Sequence, residues 1–218
     1  MKLIEVPEPS ALMTVSLAER IVGTLSKTSK MPCDSFSLPT TACKAGVHLS
    51  KIEGSVCSKC YAKKGNYRFN ADQRQYRLNN LHHPRWVEAM VHLVRESDRL
   101  HFRWHDSGDL QSMTHFLNIV QVAYALPHVK FWLPTQEASL MRRAQSYPWK
   151  NWPHNLVVRV GTTLIDSEPR KWPWNTSTVH KHREPVGFMC PAPTQDNKCG
   201  SCRACWDKEI KNVSYKQH

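Results

Sequence analysis

Eight cysteines carry the most chemistry in this 218-residue chain. Cys190, Cys199, Cys202 and Cys205 follow the pattern C-x8-C-x2-C-x2-C. Three thiolates so close together can wrap three corners of a cubane iron–sulfur cluster. A remote cysteine, here Cys190 before Pro191, can supply the fourth. Zinc is the competing reading, although structural zinc usually draws paired cysteines from two separate knuckles. Cys43, Cys57 and Cys60 form a second set, C-x13-C-x2-C. Three thiolates leave one iron of a 4Fe–4S cluster open to a small molecule, whereas four protein ligands close the site. Cys33, ten residues before Cys43, decides between those outcomes. A structural zinc or a closed cluster is the plainer alternative.

Composition bounds what such cysteines do. No apolar run reaches the ~18 residues of a membrane span. The first residues, MKLIEVPEPS, carry Glu5, Glu8 and two prolines, unlike a secretory signal. The expected location is therefore the cytoplasm, where disulfides are rare and metal is the leading use of cysteine. Lys and Arg number 30 against 18 Asp and Glu, a net charge of +12 that invites a polyanionic partner such as nucleic acid. Tyr61, Tyr67, Phe69 and Tyr76 interleave with a basic stretch over residues 58–103. Such aromatics can stack bases while the cations meet phosphate, though a solvated helical face is the commoner explanation.

The elements that must position these groups follow from hydrophobic spacing. Residues 1–30 read as an N-terminal arm with a short helix over Ser16–Ser26, and residues 31–70 as loop. Pro84 opens a helix carrying Val87, Met90, Val91 and Val94. Leu100–His105 reads as a strand, Met113–Tyr124 as a helix ended by Pro127, and Val129–Leu133 as a strand. Leu140, Met141 and Ala144 mark a helix, and Leu156–Val160 a third strand. This alternation predicts βαβ units and a parallel sheet, so the core spans residues 31–164 and its ligand site lies at the strands' carboxyl ends. His105 to Asp109, Thr135 to Glu137 and Thr162-Thr163 stand there. Asp106 and Asp109 flank Gly108; either can bind a ligand amine, move a proton, or cap the helix expected near residue 110. Residues 165–218 read as a loop excursion and a cysteine-rich C-terminal segment. His180 and His182 are further ligand candidates there, and the Trp-rich stretch 149–174 reads as packing.

Cys57-Ser-Lys-Cys60-Tyr61-Ala62, with Gly65 and Tyr67 after it, resembles the phage-encoded gene product 88 family. So do Leu38-Pro39-Thr-Thr-Ala-Cys43, the strand end Arg103-Trp104-His105-Asp106-Ser107-Gly108-Asp109, and Cys190-Pro191 with the Cys199–Trp206 run. The order of parts is also similar to the radical SAM superfamily, in which a three-cysteine loop precedes a strand ending in a Gly-Glu-like motif. Ser107-Gly108-Asp109 stands in that place. The resemblance implies a partial (β/α) barrel with cysteine-rich metal-binding loops at both ends of the core. It implies a 4Fe–4S cluster on Cys43, Cys57 and Cys60, with S-adenosylmethionine at the open iron. Ser107, Gly108, Asp109 and Thr135 would bind that cofactor, Asp109 orienting its amine. Asp109, His105 and Asp106 would be the catalytic candidates. An auxiliary cluster on Cys190, Cys199, Cys202 and Cys205 would relay electrons or anchor substrate. The alternative is a non-catalytic iron–sulfur or zinc protein that binds nucleic acid or a phage or host protein.

Overall fold

A computed structural model describes residues 13–64, 67, 69–149 and 151–217. Residues 1–12 of the expected arm, and Gly65, lie outside the described residues. Helix α1, Val15–Val22, starts where the Thr14 hydroxyl accepts from Leu17 N and buries Ala18, Ile21 and Val22. It stops short of Ser26 because Gly23 turns the chain at a φ of 81°. The stretch expected to be loop holds strand β2, Asp34–Phe36, and helix α2, Lys44–Leu49. Three- and six-residue elements are too short to leave a periodic signature. Helix α3, Ala71–Asn79, leads to α4, Trp86–Glu96, which begins just beyond Pro84.

The expected βαβ core is present: β3 His101–Trp104, α5 Met113–Ala125, β4 Lys130–Thr135, α6 Ala138–Gln145 and β5 Leu156–Gly161. Helix α5 starts at Met113, where its apolar stripe begins, beyond the start near residue 110 that a cap by Asp106 or Asp109 would give. Its cap is Ser112, whose hydroxyl accepts from His115 N, so neither aspartate caps it. The supposed excursion instead supplies β6 Asn175–His180 and β7 Phe188–Met189, followed by β8 Asn212–Lys216. Strand β6 is polar, which hid it. Its Thr176 hydroxyl donates to Asn212 Oδ1 at 2.8 Å, and Asn212 Nδ2 donates to Thr178 Oγ1 at 3.0 Å.

With β1, Ser26–Lys27, these strands form one eight-stranded sheet in the order β1-β2-β3-β4-β5-β6-β8-β7. Only the β1–β2 pair is antiparallel. From β1 to β6 the order follows the chain without a reversal. Right-handed crossovers that never reverse lay their helices on one face. Phe36, Phe102, Trp104, Phe131, Leu133 and Val158 pack there with α1, α4, α5 and α6. Trp149, Trp152, Trp172 and Trp174 pack at the margin of this core. The opposite face carries Cys33, Trp132 and Val213 and is covered by Cys205 and Trp206. Among the described residues no helix is long and apolar enough to cross a membrane.

Candidate functional site

Four strand ends grip the first cysteine group. After β2, Leu38 N donates to Ser107 O at 2.8 Å, and the Ser107 hydroxyl donates back to Leu38 O at 2.6 Å. Gly108 completes this clasp at a φ of 79°, where an added Cβ would stand 2.8 Å from Leu38 O. Only glycine fits so close a backbone approach. Cys43 then opens α2, and Ala45 N donates to the buried Glu137 Oε1 at 2.7 Å, docking this helix on the end of β4. Past Cys43 the loop is tied to the end of β5, with Val56 N donating to Thr163 O at 3.0 Å and Ile165 N to Gly54 O at 2.9 Å.

Gly46 shapes the space between the thiols. A Cβ there would meet Cys43 Cβ at 2.9 Å and reach 3.6 Å from Cys43 Sγ and 3.8 Å from Cys57 Sγ. The glycine thus keeps open a cradle shared by two sulfurs. Burial pushes the Cys43 thiol up to about 12, helped by Asp109, Cys60, Cys57 and Glu137. Burial, then Cys60 and Asp109, raise Cys57 to about 11. Bare thiols would stay protonated among these carboxylates, and a bound cation reverses that preference.

Asp109 is the hub of the strand ends. Its Oδ1 accepts from Leu110 N at 2.7 Å and from the Thr135 hydroxyl at 2.6 Å; Oδ2 accepts from Gln136 N at 2.7 Å. Burial lifts its pKa to about 7 against those three bonds. Asp106 is engaged elsewhere. Ser35 and Ser37 donate to its Oδ1, both at 2.5 Å, Tyr67 donates to its Oδ2 at 3.1 Å, and Tyr61 donates to its carbonyl at 2.6 Å. Arg103 Nη2 donates to Tyr61 Oη at 2.8 Å while its guanidinium lies 4.5 Å from the Trp132 ring centre. Arg103 therefore reaches from Tyr61, next to Cys60, to the face that holds the second cysteine group.

His105 sits at a φ of 53° with its ring 5.2 Å from that of His115, beside Trp104. Both its ring nitrogens are buried and unpartnered among the described residues. Burial, with Arg103, lowers its pKa to about 3, and burial likewise keeps His115 neutral. Unfolded histidine takes a proton near 6.5, so stability present above that pH is lost as pH falls toward 3. Asp109 acts in the opposite sense, adding stability as pH falls from about 7. His105→Asn removes the histidine contribution and tolerates the left-handed backbone. We expect its urea midpoint to fall less than the wild type's between pH 7 and 4, by a margin of about 3 kcal/mol at pH 4. Parallel pH profiles would refute this.

The second group lies on the open sheet face. Cys205 and Trp206 are buried there, with Cys190 and Cys202 against them. Trp206 Nε1 donates to Phe102 O at 2.9 Å. Cys190, Cys202 and Cys199 act electrostatically on one another. Cys33 joins this group and not the first. His180 bonds Ser214 at 2.8 Å and His182 is exposed. Arg159, on β5 and fully buried, fixes the whole segment. Its guanidinium donates to the carbonyls of Cys205, Ala204, Asp207, Ile210 and Thr176 at 2.8–3.3 Å. Sequence reading passed over Arg159, although one arginine inside Leu-Val-Val-Arg-Val was its signal.

All-thiol donor sets suit iron–sulfur clusters and zinc alike. Among the described residues, no three His, Cys, Asp or Glu side chains gather as around a single ion. The paired sulfurs and the Gly46 cradle fit a thiolate-held group at the first site. Beside it opens a cleft of about 340 Å³ lined by Lys44, Gln111, Ser112, Glu137, Ser139 and Arg143. No curated protein and no solved structure matches the chain. A family model described as gene product 88 matches residues 12–208. That span holds both cysteine groups, the clasp between Leu38 and Gly108, and the Arg159 anchor, so the chain belongs to the gene product 88 family.

Proposed function

We propose that this is a phage-type iron–sulfur protein of radical-SAM-like organisation, built on a partial (β/α) barrel. Cys43, Cys57 and Cys60 would hold an open-site 4Fe–4S cluster, and the C-terminal cysteines an auxiliary one. The observation that carries this reading is the separation of Cys33 from the first group, which leaves three thiols at the carboxyl ends of the strands. When bound, such a cluster supplies the electron for reductive cleavage of S-adenosylmethionine. The residues around it have separable tasks. Glu137 fixes Cys43 through Ala45 N. Asp109 acts electrostatically on both Cys43 and Cys57, and its carboxylate is the charge a ligand amine there would meet. Thr135 and Ser107 orient Asp109 and the clasp through their hydroxyls. Asp106 holds Tyr61 and Tyr67. The cleft next to Glu137 offers Lys44 and Arg143 to an anionic part of a substrate.

Anaerobic purification with iron and sulfide counts, followed by EPR of the reduced protein with and without S-adenosylmethionine, tests the reading. About eight irons per chain and an EPR signal altered by S-adenosylmethionine are expected. Zinc without sulfide would overturn it. One observation favours the second reading, a nucleic-acid-binding metalloprotein. Phe69 is 69% exposed, Tyr61 47% and Tyr76 42%, all inside the basic stretch. That reading requires nucleic-acid binding that weakens steeply with salt.

A further inference from the structure

The C-terminal group contains a fifth thiol. Cys33 is 3% exposed, in one apolar cluster with Cys205, Trp206 and Val213, with Cys190 and Cys202 packed against that cluster. Two ties bring it there. Cys199 N donates to Lys30 O at 2.9 Å, and the Thr28 hydroxyl donates to Cys33 O at 2.5 Å. Strand β2 then separates it from the first group: Cys33 precedes the amino end of β2 and packs with Cys205 and Trp206, whereas the loop of Cys43, Cys57 and Cys60 is tied to the strands' carboxyl ends. The thiol of Cys199 is near enough to raise the Cys33 pKa. A cubane cluster takes four thiolates, and five now surround this site. One of the five has another partner: Cys205 Sγ lies 3.1 Å from Tyr215 Oη.

We propose that Cys33 is a ligand of the second metal centre, coupling the amino end of β2 to the C-terminal cysteine loop. The inference rests on the reading of that group as metal-holding. Cys33 precedes β2 and the C-terminal cysteines flank β7 and β8 of the same sheet, so metal affinity at this centre is coupled to the stability of the whole sheet. Cys33 also gives the centre a spare thiol, with Cys205 held by Tyr215 beside it.

The test compares Cys33→Ala in two backgrounds, the otherwise wild-type chain and a C43A/C57A/C60A chain whose remaining metal belongs to the second centre. Each is purified anaerobically, and iron, zinc and sulfide per chain are measured with EPR of the reduced protein. In the triple-variant background, C33A is expected to lose at least half of the bound metal, or to keep it with changed g-values as another ligand takes over. In the wild-type background C33A should keep the first centre, which shows that the chain still folds. Unchanged metal content and an unchanged spectrum overturn the inference, as does loss of both centres in the wild-type background. Zinc in place of iron and sulfide would sink the iron–sulfur reading alone, because ligation by Cys33 would still be read in the zinc content. A triple variant that binds no metal would sink the second centre itself.

Discussion

Arg159→Met is expected to destabilise the protein by about 3–5 kcal/mol and, on the proposed reading, to empty the second metal centre while the first remains. Arg159 is fully buried, and five carbonyls converge on its guanidinium. No carboxylate is among its hydrogen-bond partners in the described residues. The charge is held by peptide dipoles, and burial lowers its pKa. Four of the five carbonyls belong to residues 204–210, at the end of the C-x2-C-x2-C run and just beyond it. Methionine replaces the volume and none of the donors. Each buried carbonyl left without a partner costs about 1–3 kcal/mol, while Ala204 O keeps Asp207 N and Ile210 O keeps Asn175 Nδ2. Arg159→Lys keeps the charge, but a compact ammonium cannot reach a fan of five acceptors that a planar fork can span. It should recover less than half of the loss. Urea unfolding and metal content per chain measure both effects. A midpoint within 0.5 kcal/mol-equivalent of wild type, on the order of an ordinary surface change, would show that the loop holds itself.

What the sequence discloses here depends on how far apart the interacting residues lie along the chain. Apolar spacing exposes α4, α5, β3, β4 and β5 because each is long enough to repeat its pattern. Strands β2 and β6 stay hidden. One is three residues long, and the other satisfies its polar side chains against β8. The grouping of Cys43, Cys57 and Cys60 is visible in local spacing and in the expected position beyond the strand ends. The partner of Cys33 is not. Its proximity to Cys43 in sequence suggests the first group, whereas in the fold it precedes β2 and packs with Cys205 and Trp206 on the other face of the sheet. Asp106 and Asp109 look equivalent around Gly108, yet one is taken up by Ser35, Ser37 and Tyr67 and the other clips β3 to β4. Those partners come from other strands, so no local pattern separates the two roles.

Asp109 carries the second large effect, and two substitutions separate its tasks. Asp109→Ala leaves Leu110 N, Gln136 N and the Thr135 hydroxyl without their acceptor. In a buried setting this should cost about 3 kcal/mol or more. The damage propagates along a short path. Gln136 adjoins Glu137, Glu137 holds Ala45 N, and Ala45 lies two residues past Cys43. D109A should therefore lose stability and, on the proposed reading, metal from the first group. Asp109→Asn keeps the volume and can still accept from Leu110 N and Thr135 with its oxygen. Its amide then meets Gln136 N, donor against donor, for a loss of about 1–3 kcal/mol. The fold and, on the proposed reading, the first centre should survive that change. The carboxylate charge beside Cys43 and Cys57 does not survive it, so on the proposed reading D109N binds S-adenosylmethionine at least tenfold more weakly, about 1.4 kcal/mol. Urea unfolding, metal content and calorimetric titration distinguish the cases. If D109N binds S-adenosylmethionine as the wild type does while D109A unfolds, Asp109 is a strand clip alone, and the ligand amine must be sought at Glu137, the other buried carboxylate that acts on the same two thiols.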